Sequence, residues 1–347
     1  MHTTVAIIGA GNFGTAIADL VASNGNPTRL WMRDEELLKS IQDHNENVRY
    51  LPNHKLHSNI YPTTDLEFAA KSNVLFVTVP SASFRSVSRD LSKFIRPDAC
   101  VISATKGVEA DEGISDFKLM SQILEEELKT SRIGVLSGPN FAEEMAEGRY
   151  TGTVIASRDE GVRQLAHDLL HSGTFRVYSA IDVYGVELGG ALKNVYAIIA
   201  GIVTTLELGQ NTLAMVLTRS LAEMSRFAVA IGADPFTFLG LAGVGDLVMS
   251  CTSPLSRNFQ LGSKLAQKVP LEQAVEELGK LAEGVNTLRV IHKRRAELDV
   301  YMPLVEALYR VVYGGDHIDQ VITSLMTSEQ QLDVEFASPS TWLKNRI

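Results

Sequence analysis

The sequence is poor in cysteine and in basic charge, and both shortages limit what the protein can be. Only two of its 347 residues are cysteines. Cys100 and Cys251 lie far apart, which excludes a zinc framework built from cysteines and favours reduced thiols in a protein of the cytoplasm. Lysine and arginine total 32 against 41 acidic residues, a net charge of −9. A nucleic-acid partner is therefore not expected, because the phosphate backbone requires a basic surface.

Long apolar runs are missing as well. The longest one, residues 195–203, is shorter than the roughly 20 residues that cross a bilayer, and no basic segment precedes the first apolar residues as it does in a secretory signal. We therefore expect a soluble, cytoplasmic protein that is not embedded in a membrane. Hydrophobic residues make up 45% of the chain and charged residues 21%, a globular balance whose length suits two domains.

Strand and helix patterns alternate in the first half of the chain, and only helical patterns follow. Apolar strands are predicted at residues 4–8, 29–32, 73–79, 100–103, 133–136, 153–156 and 175–178. Helices are predicted between them, including residues 15–23, 83–94 and 114–128. This alternation indicates an α/β Rossmann-type domain over residues 1–180, with a mainly parallel sheet. An all-helical domain is predicted over residues 181–347, with helices at 182–207, 211–231, 271–281, 287–298, after Pro303 and at 328–333.

The first strand leads directly into a glycine-rich loop at residues 9–14, Gly-Ala-Gly-Asn-Phe-Gly, which opens a helix. Gly9 permits a tight turn, Gly11 lets the backbone approach a pyrophosphate, and Gly14 lets the helix pack close to the strand. The helix N-terminus adds free N–H groups and a partial positive charge. In this context the motif predicts a dinucleotide cofactor, NAD or NADP.

The choice between NAD and NADP rests on the residues that follow the second strand. An acid there binds the ribose 2′-hydroxyl of NAD, whereas an arginine accommodates the 2′-phosphate of NADP. The sequence has Arg33 and Asp34 side by side. Because Arg33 comes first, we expect NADP to be preferred and NAD to be accepted. The alternative is that Arg33 is an ordinary solvated surface charge.

Lys193 is the most informative residue of the helical half. No other charged residue lies between it and Glu207, which predicts a buried central helix. Burial disfavours the charged form of a lysine and suits the group to acid–base catalysis near neutral pH. The alternative is a lysine whose ammonium reaches the surface. Gly189 and Gly190, just before it, favour a close approach by another part of the protein.

Further polar residues stand where a ligand would be held. Asp246 follows Gly243-Val244-Gly245 and is predicted to pair with Lys193, to cap the helix that follows, or to do both. Ser256-Arg257-Asn258 comes shortly afterwards and suits a phosphate group. In the first domain, Lys106 and residues 137–142 follow strand ends, so both lie at the carboxyl edge of the sheet, where ligands bind.

Seven motifs in this order resemble those of the bacterial NAD(P)-dependent glycerol-3-phosphate dehydrogenases, from Gly9 to about Pro303. They are Gly-Ala-Gly-Asn-Phe-Gly-Thr-Ala at 9–16, Thr-Lys-Gly at 105–107, Ser-Gly-Pro-Asn-Phe-Ala at 137–142, Gly-Ala-Leu-Lys-Asn at 190–194, Gly-Val-Gly-Asp-Leu at 243–247, Ser-Arg-Asn at 256–258 and Glu-Gly-Val at 283–285. The chain departs from the family at Asn140, where relatives often have serine or threonine, and at residues 259–262, where they are often more basic.

The resemblance implies the interconversion of sn-glycerol 3-phosphate and dihydroxyacetone phosphate, a role in glycerophospholipid synthesis, and a homodimer. Lys193 would accept the proton in alcohol oxidation and donate it in ketone reduction. The substrate would be bound by Lys106, Gly138, Asn140, Lys193, Asp246, Ser256, Arg257 and Asn258. The cofactor would be held by Gly9, Gly11, Asn12, Phe13, Gly14, Arg33, Lys106, Ala142, Arg257, Leu281 and Glu283. No metal is expected, because the eight histidines are scattered.

Two other functions compete with this one. Dehydrogenases of the 6-phosphogluconate or 3-hydroxyisobutyrate type share the layout, but they place an asparagine one helical turn after the lysine, where this chain has Ala197. A regulatory protein that senses NADPH without turnover would have no need of Lys193. Substrate assays and replacement of Lys193 separate these alternatives.

Overall fold

The computed structural model describes residues 3–110, 117–279 and 283–327, and the chain divides into two compact units. Unit 1 comprises Met1–Ala191 and Leu239–Asp246, and unit 2 comprises Leu192–Phe238 and Leu247–Ile347. The functional domains that we place at residues 1–180 and 181–347 stay a prediction.

Unit 1 is built on an eight-stranded sheet. Its strands are β1 (Val5–Ile8), β2 (Thr28–Trp31), β3 (Ile60–Thr63), β4 (Val74–Val77), β5 (Cys100–Ser103), β8 (Ile133–Ser137), β9 (Thr151–Ala156) and β10 (Phe175–Ala180), in the order β10-β9-β8-β5-β4-β1-β2-β3. All neighbouring pairs are parallel except β8 and β9. The chain therefore reverses the direction of strand addition between β1 and β4, and the carboxyl end of β1 at this point is where such sheets bind ligands.

Helices cover both faces of this sheet, as the alternating pattern predicted. They are α1 (Asn12–Ser23), α2 (Glu35–His44), α3 (Leu66–Ala70), α4 (Ser81–Leu91), α5 (Met120–Glu127), α6 (Ala142–Ala146) and α7 (Glu160–Leu170). Val5 and Ile7 of β1 belong to one apolar core with α1 and α7, whereas Ala6 and Ile8 belong to a second core with α4 and α5. A strand that is buried on both faces has an almost continuous apolar sequence. This is why these strands could be predicted from the sequence.

The helix predicted over residues 114–128 is partly wrong. Residues Phe117–Leu119 form strand β7, which pairs antiparallel with β6 (Val108–Ala110), and α5 begins only at Met120. Phe117 and Leu119 are buried while Lys118 between them is not, and this alternation is typical of a strand. Residues 111–116 lie outside the described part. The prediction also missed α2, which ends at His44, and β3.

Unit 2 is helical. Helix α8 (Val183–Thr205) begins in unit 1 and continues into unit 2, where it is followed by α9 (Gln210–Ala230), α10 (Asp246–Thr252), α11 (Arg257–Ala266), α12 (Leu271–Glu277), α13 (Glu283–Glu297), α14 (Pro303–Val312) and α15 (Ile318–Met326). Asp182 accepts a hydrogen bond from Gly185 N at 3.0 Å, which confirms the predicted start of α8. The helix predicted over 271–281 ends at Glu277, α15 was not predicted, and residues 328–333 are not among those described.

Helix α8 is a core helix. In the described part of the chain it alone is long and apolar enough to cross a membrane, yet 94% of its most apolar window is buried inside the protein. Its packing against α11 is unusually close: a Cβ at Gly262 would overlap the carbonyl oxygen of Ile198, and a Cβ at Gly201 would overlap that of Phe259. The backbones of α8 and α11 thus touch where both helices carry glycine.

Candidate active site

At the carboxyl edge of the sheet in unit 1, a lysine, a carboxylate and a backbone carbonyl form one cluster. Lys106 Nζ donates to Asp246 Oδ2 at 2.6 Å and to the Gly138 carbonyl oxygen at 2.8 Å. The Asp246 side chain is fully buried, whereas 20% of the Lys106 side chain is exposed. A buried carboxylate is tolerated only when it is paired and hydrogen-bonded, and Lys106 meets both needs.

Asp246 does not cap the helix that it opens. Its backbone is helical, with φ −70° and ψ −31°, and it is the first residue of α10, whereas a capping residue has non-helical backbone angles. The prediction of a capping aspartate is therefore wrong. Its predicted pairing with Lys193 stays a prediction.

Glycines early in α8 allow the Lys106 side chain to lie against the helix. A Cβ at Gly190 would lie 2.7 Å from Ser137 Oγ and 3.4 Å from Lys106 Cγ, and one at Gly189 would lie 2.5 Å from the Ala242 carbonyl oxygen. The close approach that these glycines predicted is confirmed within unit 1. The absence of a side chain at Gly190 therefore leaves room for Lys106, and the absence of one at Gly189 leaves room for the Ala242 carbonyl.

The loop after β8 carries three further predicted site residues. Gly138 adopts φ +138°, a conformation that favours glycine. Asn140 Nδ2 donates to the Gly152 carbonyl at 3.1 Å, and its Oδ1 accepts from Thr153 Oγ1 at 3.2 Å. The asparagine thus ties the loop to β9, and its role as a substrate ligand stays a prediction. Ala142 is buried at the start of α6.

The glycine-rich loop after β1 has the geometry of a dinucleotide cradle. Gly9 adopts φ +120°, and a Cβ at Gly14 would overlap the Gly9 carbonyl oxygen and lie 2.5 Å from Thr78 Oγ1. These two glycines confirm the predicted tight turn and close helix packing. A Cβ at Gly11 would meet nothing within 4 Å, so open space lies beside the N-terminus of α1, where Asn12 and Phe13 form the first turn. These residues fit a pyrophosphate.

Arg33 and Asp34 occupy different environments at the end of β2. Arg33 is exposed. Asp34 caps α2 by accepting hydrogen bonds from Glu36 N and Leu37 N, and it also pairs with Arg49. The backbone N–H of Leu37 and the Arg49 guanidinium lower the pKa of the Asp34 carboxyl.

Lys193 lies in unit 2 and is buried, with only 6% of its surface exposed. Its Nζ donates to Ser250 Oγ at 2.6 Å, and Ser250 is itself 2% exposed. The alternative of a surface lysine is therefore wrong. Ser250 was not predicted, although its place one helical turn after Asp246 on α10 is a signal that could have revealed it.

A chain of side-chain amides joins three helices of unit 2. Asn258 Nδ2 donates to Asn194 Oδ1 at 3.0 Å, and Asn258 Oδ1 accepts from Gly284 N at 3.1 Å. Ser256 caps α11 by accepting from Phe259 N, so its hydroxyl is engaged by the backbone. Arg257 is half-buried in the first turn of α11, and Glu283 opens α13. Leu281, predicted to contact the cofactor, lies outside the described residues.

Glu223 is a fully buried acid of unit 2 and lies on α9. Tyr196 OH donates to Glu223 Oε2 at 3.1 Å, and Glu223 also accepts from Leu304 N at 2.6 Å and Val305 N at 3.2 Å. The carboxyl therefore joins α9 to Tyr196 of α8 and to the first residues of α14. Burial raises its pKa to about 7.

We expect the Glu223 carboxyl to make stability fall as pH rises towards neutrality. Its pKa is 4.5 ordinarily and about 7 in the folded protein, so within this window the folded chain holds a proton that the unfolded chain has lost. The contribution of Glu223 to the free energy of unfolding is fully present below pH 4.5 and is lost as the pH rises through the folded-state pKa of about 7. Glu223→Gln, which mimics the neutral acid, should flatten the pH dependence of the unfolding free energy between about pH 5 and about pH 8.

The exposed Glu277 is the control for this measurement, because Lys264 lowers the pKa of its carboxyl and moves its titration below the window. Glu277→Gln should leave the slope as in the wild type. Equal slopes in wild type and Glu223→Gln would contradict the assignment.

No group of three or more histidine, cysteine, aspartate or glutamate side chains that could hold a metal ion occurs in the described residues. His54 instead contacts Asp19 at 2.9 Å, and His57 Nδ1 accepts from Asn59 N. These histidines fasten the segment after α2 in unit 1.

Comparison with known proteins points to one family over most of the chain. The model of the NAD-dependent glycerol-3-phosphate dehydrogenase N-terminus matches residues 4–163, and the model of the C-terminus of the same family matches residues 182–323. A glycerol-3-phosphate dehydrogenase [NAD(P)+] of Saccharophagus degradans is 52% identical over 96% of this chain and 92% of its own length. The corresponding protein of Azotobacter vinelandii is also 52% identical, over 97% and 98%.

Solved structures agree with these matches. The crystal structure of a glycerol-3-phosphate dehydrogenase from Coxiella burnetii has a TM-score of 0.89 at 32% identity and covers 94% of this chain and 99% of its own. A glycerol-3-phosphate dehydrogenase from Saccharomyces cerevisiae has a TM-score of 0.82 at 29% identity, over 95% and 100%. The predicted fold class is thereby confirmed.

Proposed function

The chain belongs to the NAD-dependent glycerol-3-phosphate dehydrogenase family and is an NAD(P)-dependent oxidoreductase, and we propose that it interconverts dihydroxyacetone phosphate and sn-glycerol 3-phosphate with Lys193 as its acid–base group. The observation that carries the role of Lys193 is its burial together with the 2.6 Å hydrogen bond to Ser250 Oγ. The names of the bacterial relatives support the substrate pair.

When bound, NAD(P)H would provide the hydride added to C2 of the ketone, and NAD(P)+ would take up the hydride removed from C2 of the alcohol. In ketone reduction the Lys193 ammonium donates a proton to the C2 oxygen as negative charge develops there, and in alcohol oxidation the neutral amine accepts that proton. Ser250 Oγ accepts a hydrogen bond from the ammonium and so helps to hold Lys193 Nζ in one position. The positive charge polarises the carbonyl before the proton moves, which is why the reaction needs no metal ion.

The other predicted site residues orient the substrate. We assign the phosphate of the substrate to Arg257, whose guanidinium suits a phosphate, and to Asn258, whose amide is already held by Asn194 and Gly284. Lys106, Gly138, Asn140, Asp246 and Ser256 complete the proposed substrate set. A fixed phosphate places C2 for the reaction, because binding energy remote from the reacting atom is used for positioning.

The cofactor is assigned to the glycine-rich loop and to residues beyond it. We propose that Gly9, Gly11, Asn12, Phe13 and Gly14 hold the pyrophosphate at the start of α1. Arg33, Lys106, Ala142, Arg257, Leu281 and Glu283 are the further proposed contacts. A cytoplasmic location, a homodimer and a supply of glycerol 3-phosphate for glycerophospholipid synthesis are part of the same proposal.

The test is oxidation of NADPH and of NADH with dihydroxyacetone phosphate, followed by absorbance, in wild type and in Ser250→Ala. The wild type should turn over, and Ser250→Ala should lower kcat roughly ten- to a hundredfold, since a hydrogen bond to a charged group is worth about 1.5–3 kcal/mol. Ser250→Thr should restore activity. The control is Ser220→Ala, which removes an equally buried hydroxyl bonded only to Val216 of its own helix. Activity on a 3-hydroxy acid, with none on dihydroxyacetone phosphate, would exclude this function in favour of the 3-hydroxyisobutyrate type.

A further inference from the structure

The segment after α2 in unit 1 is fastened directly to the dinucleotide loop. Asn47 is fully buried, and its Nδ2 donates to the Ala10 carbonyl at 2.9 Å and to Thr15 Oγ1 at 2.8 Å. Its Oδ1 accepts from Tyr50 N at 3.2 Å. Ala10 belongs to the glycine-rich loop, so the backbone around Asn47 is fixed with respect to the proposed cofactor cradle.

Arg49 projects from this fixed segment towards the end of β2. Its Nη1 lies 2.5 Å from Asp34 Oδ2, and half of its side chain is exposed. The other carboxylate oxygen, Asp34 Oδ1, accepts from Glu36 N at 2.9 Å and Leu37 N at 3.0 Å. Both oxygens of Asp34 therefore already have partners within the protein.

The engagement of Asp34 changes what this corner of the sheet can recognise. An acid that selects NAD does so by accepting hydrogen bonds from the ribose 2′-hydroxyl, but here the acid holds a helix and an arginine. The charges of Arg33, Asp34 and Arg49 sum to +1, and the two further acids at this corner, Glu35 and Glu36, are exposed in the first turn of α2. Such a site favours a phosphate over a hydroxyl group.

We propose that Arg49, together with Arg33, binds the 2′-phosphate of NADP and that Arg49 is a specificity-determining residue of this chain. The inference rests on the proposed use of the glycine-rich loop as the cofactor site. Because exposed ion pairs contribute little to stability, Arg49 can share its guanidinium between Asp34 and a phosphate at small cost. Arginine suits this role because its planar fork donates two parallel hydrogen bonds to phosphate oxygens.

The test uses binding of two adenosine nucleotides that differ in the 2′-phosphate, so it requires no turnover. Arg49→Gln should weaken 2′,5′-ADP roughly tenfold in isothermal titration calorimetry, the effect of losing one charge-assisted contact, and should leave 5′-AMP unchanged. The ratio of kcat/KM for NADPH to that for NADH should fall by a similar factor. The control is Arg96→Gln, because Arg96 forms a comparable exposed ion pair with Asp98. These two residues precede β5 and so lie at the amino ends of the parallel strands, whereas Arg33 follows the carboxyl end of β2.

Asp34→Asn provides the second arm. Asparagine caps a helix about as well as aspartate, so the variant keeps α2 while releasing Arg49 from its ion pair. It should bind 2′,5′-ADP several-fold more tightly and 5′-AMP as before. Weaker 5′-AMP binding by Asp34→Asn would overturn the proposal, since Asp34 would then contact the ribose. If Arg49→Gln weakened the binding of 2′,5′-ADP and of 5′-AMP equally, the proposal would also be overturned, because Arg49 would then act only on the fold.

The outcome is separable from that of the proposed reaction. A wild type that binds 2′,5′-ADP through Arg49 but never reduces dihydroxyacetone phosphate would retain this inference and lose the substrate assignment. Turnover of dihydroxyacetone phosphate with equal use of NADPH and NADH, and with no effect of Arg49→Gln, would retain the substrate assignment and exclude the role of Arg49.

Discussion

Replacing Lys193 with alanine is expected to lower kcat by about three orders of magnitude while leaving the affinity for NADPH nearly unchanged. The substitution removes the only acid–base group that we assign, and such groups contribute roughly 10²–10⁴-fold to rate. The lysine lies in unit 2 and the glycine-rich loop in unit 1, so NADPH binding, followed by fluorescence titration, should be spared. The loss should appear in single-turnover reduction of dihydroxyacetone phosphate.

Lys264→Ala is the matched control for Lys193→Ala. Lys264 also lies on a helix of unit 2, but it pairs with Glu277 near the surface, and its removal should leave kcat at the wild-type value. Thermal unfolding of both variants separates loss of chemistry from loss of fold. Near-normal turnover by Lys193→Ala would refute the acid–base role. A wild type that binds NADPH but never oxidises it would instead favour the cofactor-sensing alternative.

The second large effect is expected at the crossing of α8 and α11. Gly262→Ala would place a methyl group on the carbonyl oxygen of Ile198, a backbone atom that has no freedom to turn aside. Overpacking of this kind costs typically 1–3 kcal/mol and occasionally more, and here the helices themselves must separate. We expect the free energy of unfolding in urea to fall by at least about 2 kcal/mol.

Separation of these helices should also reach the proposed phosphate site. Arg257 and Asn258 lie on α11, one turn before Gly262, and Asn258 is hydrogen-bonded to Asn194 of α8. KM for dihydroxyacetone phosphate should therefore rise in Gly262→Ala. The control is Gly173→Ala, because a Cβ there would meet nothing within 4 Å and the backbone angle is ordinary. A Gly262→Ala variant as stable as Gly173→Ala would show that the helices can part without cost.

The parts of the fold that the sequence predicted are those set by local pattern. Buried strands such as β1 and β4 form apolar runs, and the glycine-rich loop has its own spacing requirement, so both were found. β7 was missed because its strand character depends on pairing with β6, which local propensity does not encode. Helix α2 was missed because most of it is exposed and polar; its two buried side chains, Leu37 and Ile41, are too few for a clear period.

The candidate site shows the same division. Lys193 was identified because a single charge in an apolar helix is unusual in any sequence. Its hydrogen bond to Ser250 and the pairing of Lys106 with Asp246 join residues that are 57 and 140 positions apart, and such contacts are decided by tertiary packing. The ion pair between Asp34 and Arg49 could not be predicted either, since the two residues are fifteen positions apart and no local sequence pattern links them.

The separation of the glycine-rich loop from Lys193 and Ser250 into different compact units matters for anyone who would redesign the enzyme. Arg33, Asp34 and Arg49 can be varied as a small library to change which electron carrier is consumed, with α8 and α10 left as they are. Because the substituted positions belong to unit 1, and Lys193 and Ser250 belong to unit 2, such libraries should retain a high fraction of working catalysts. Cofactor exchange is thus the property of this chain most open to engineering.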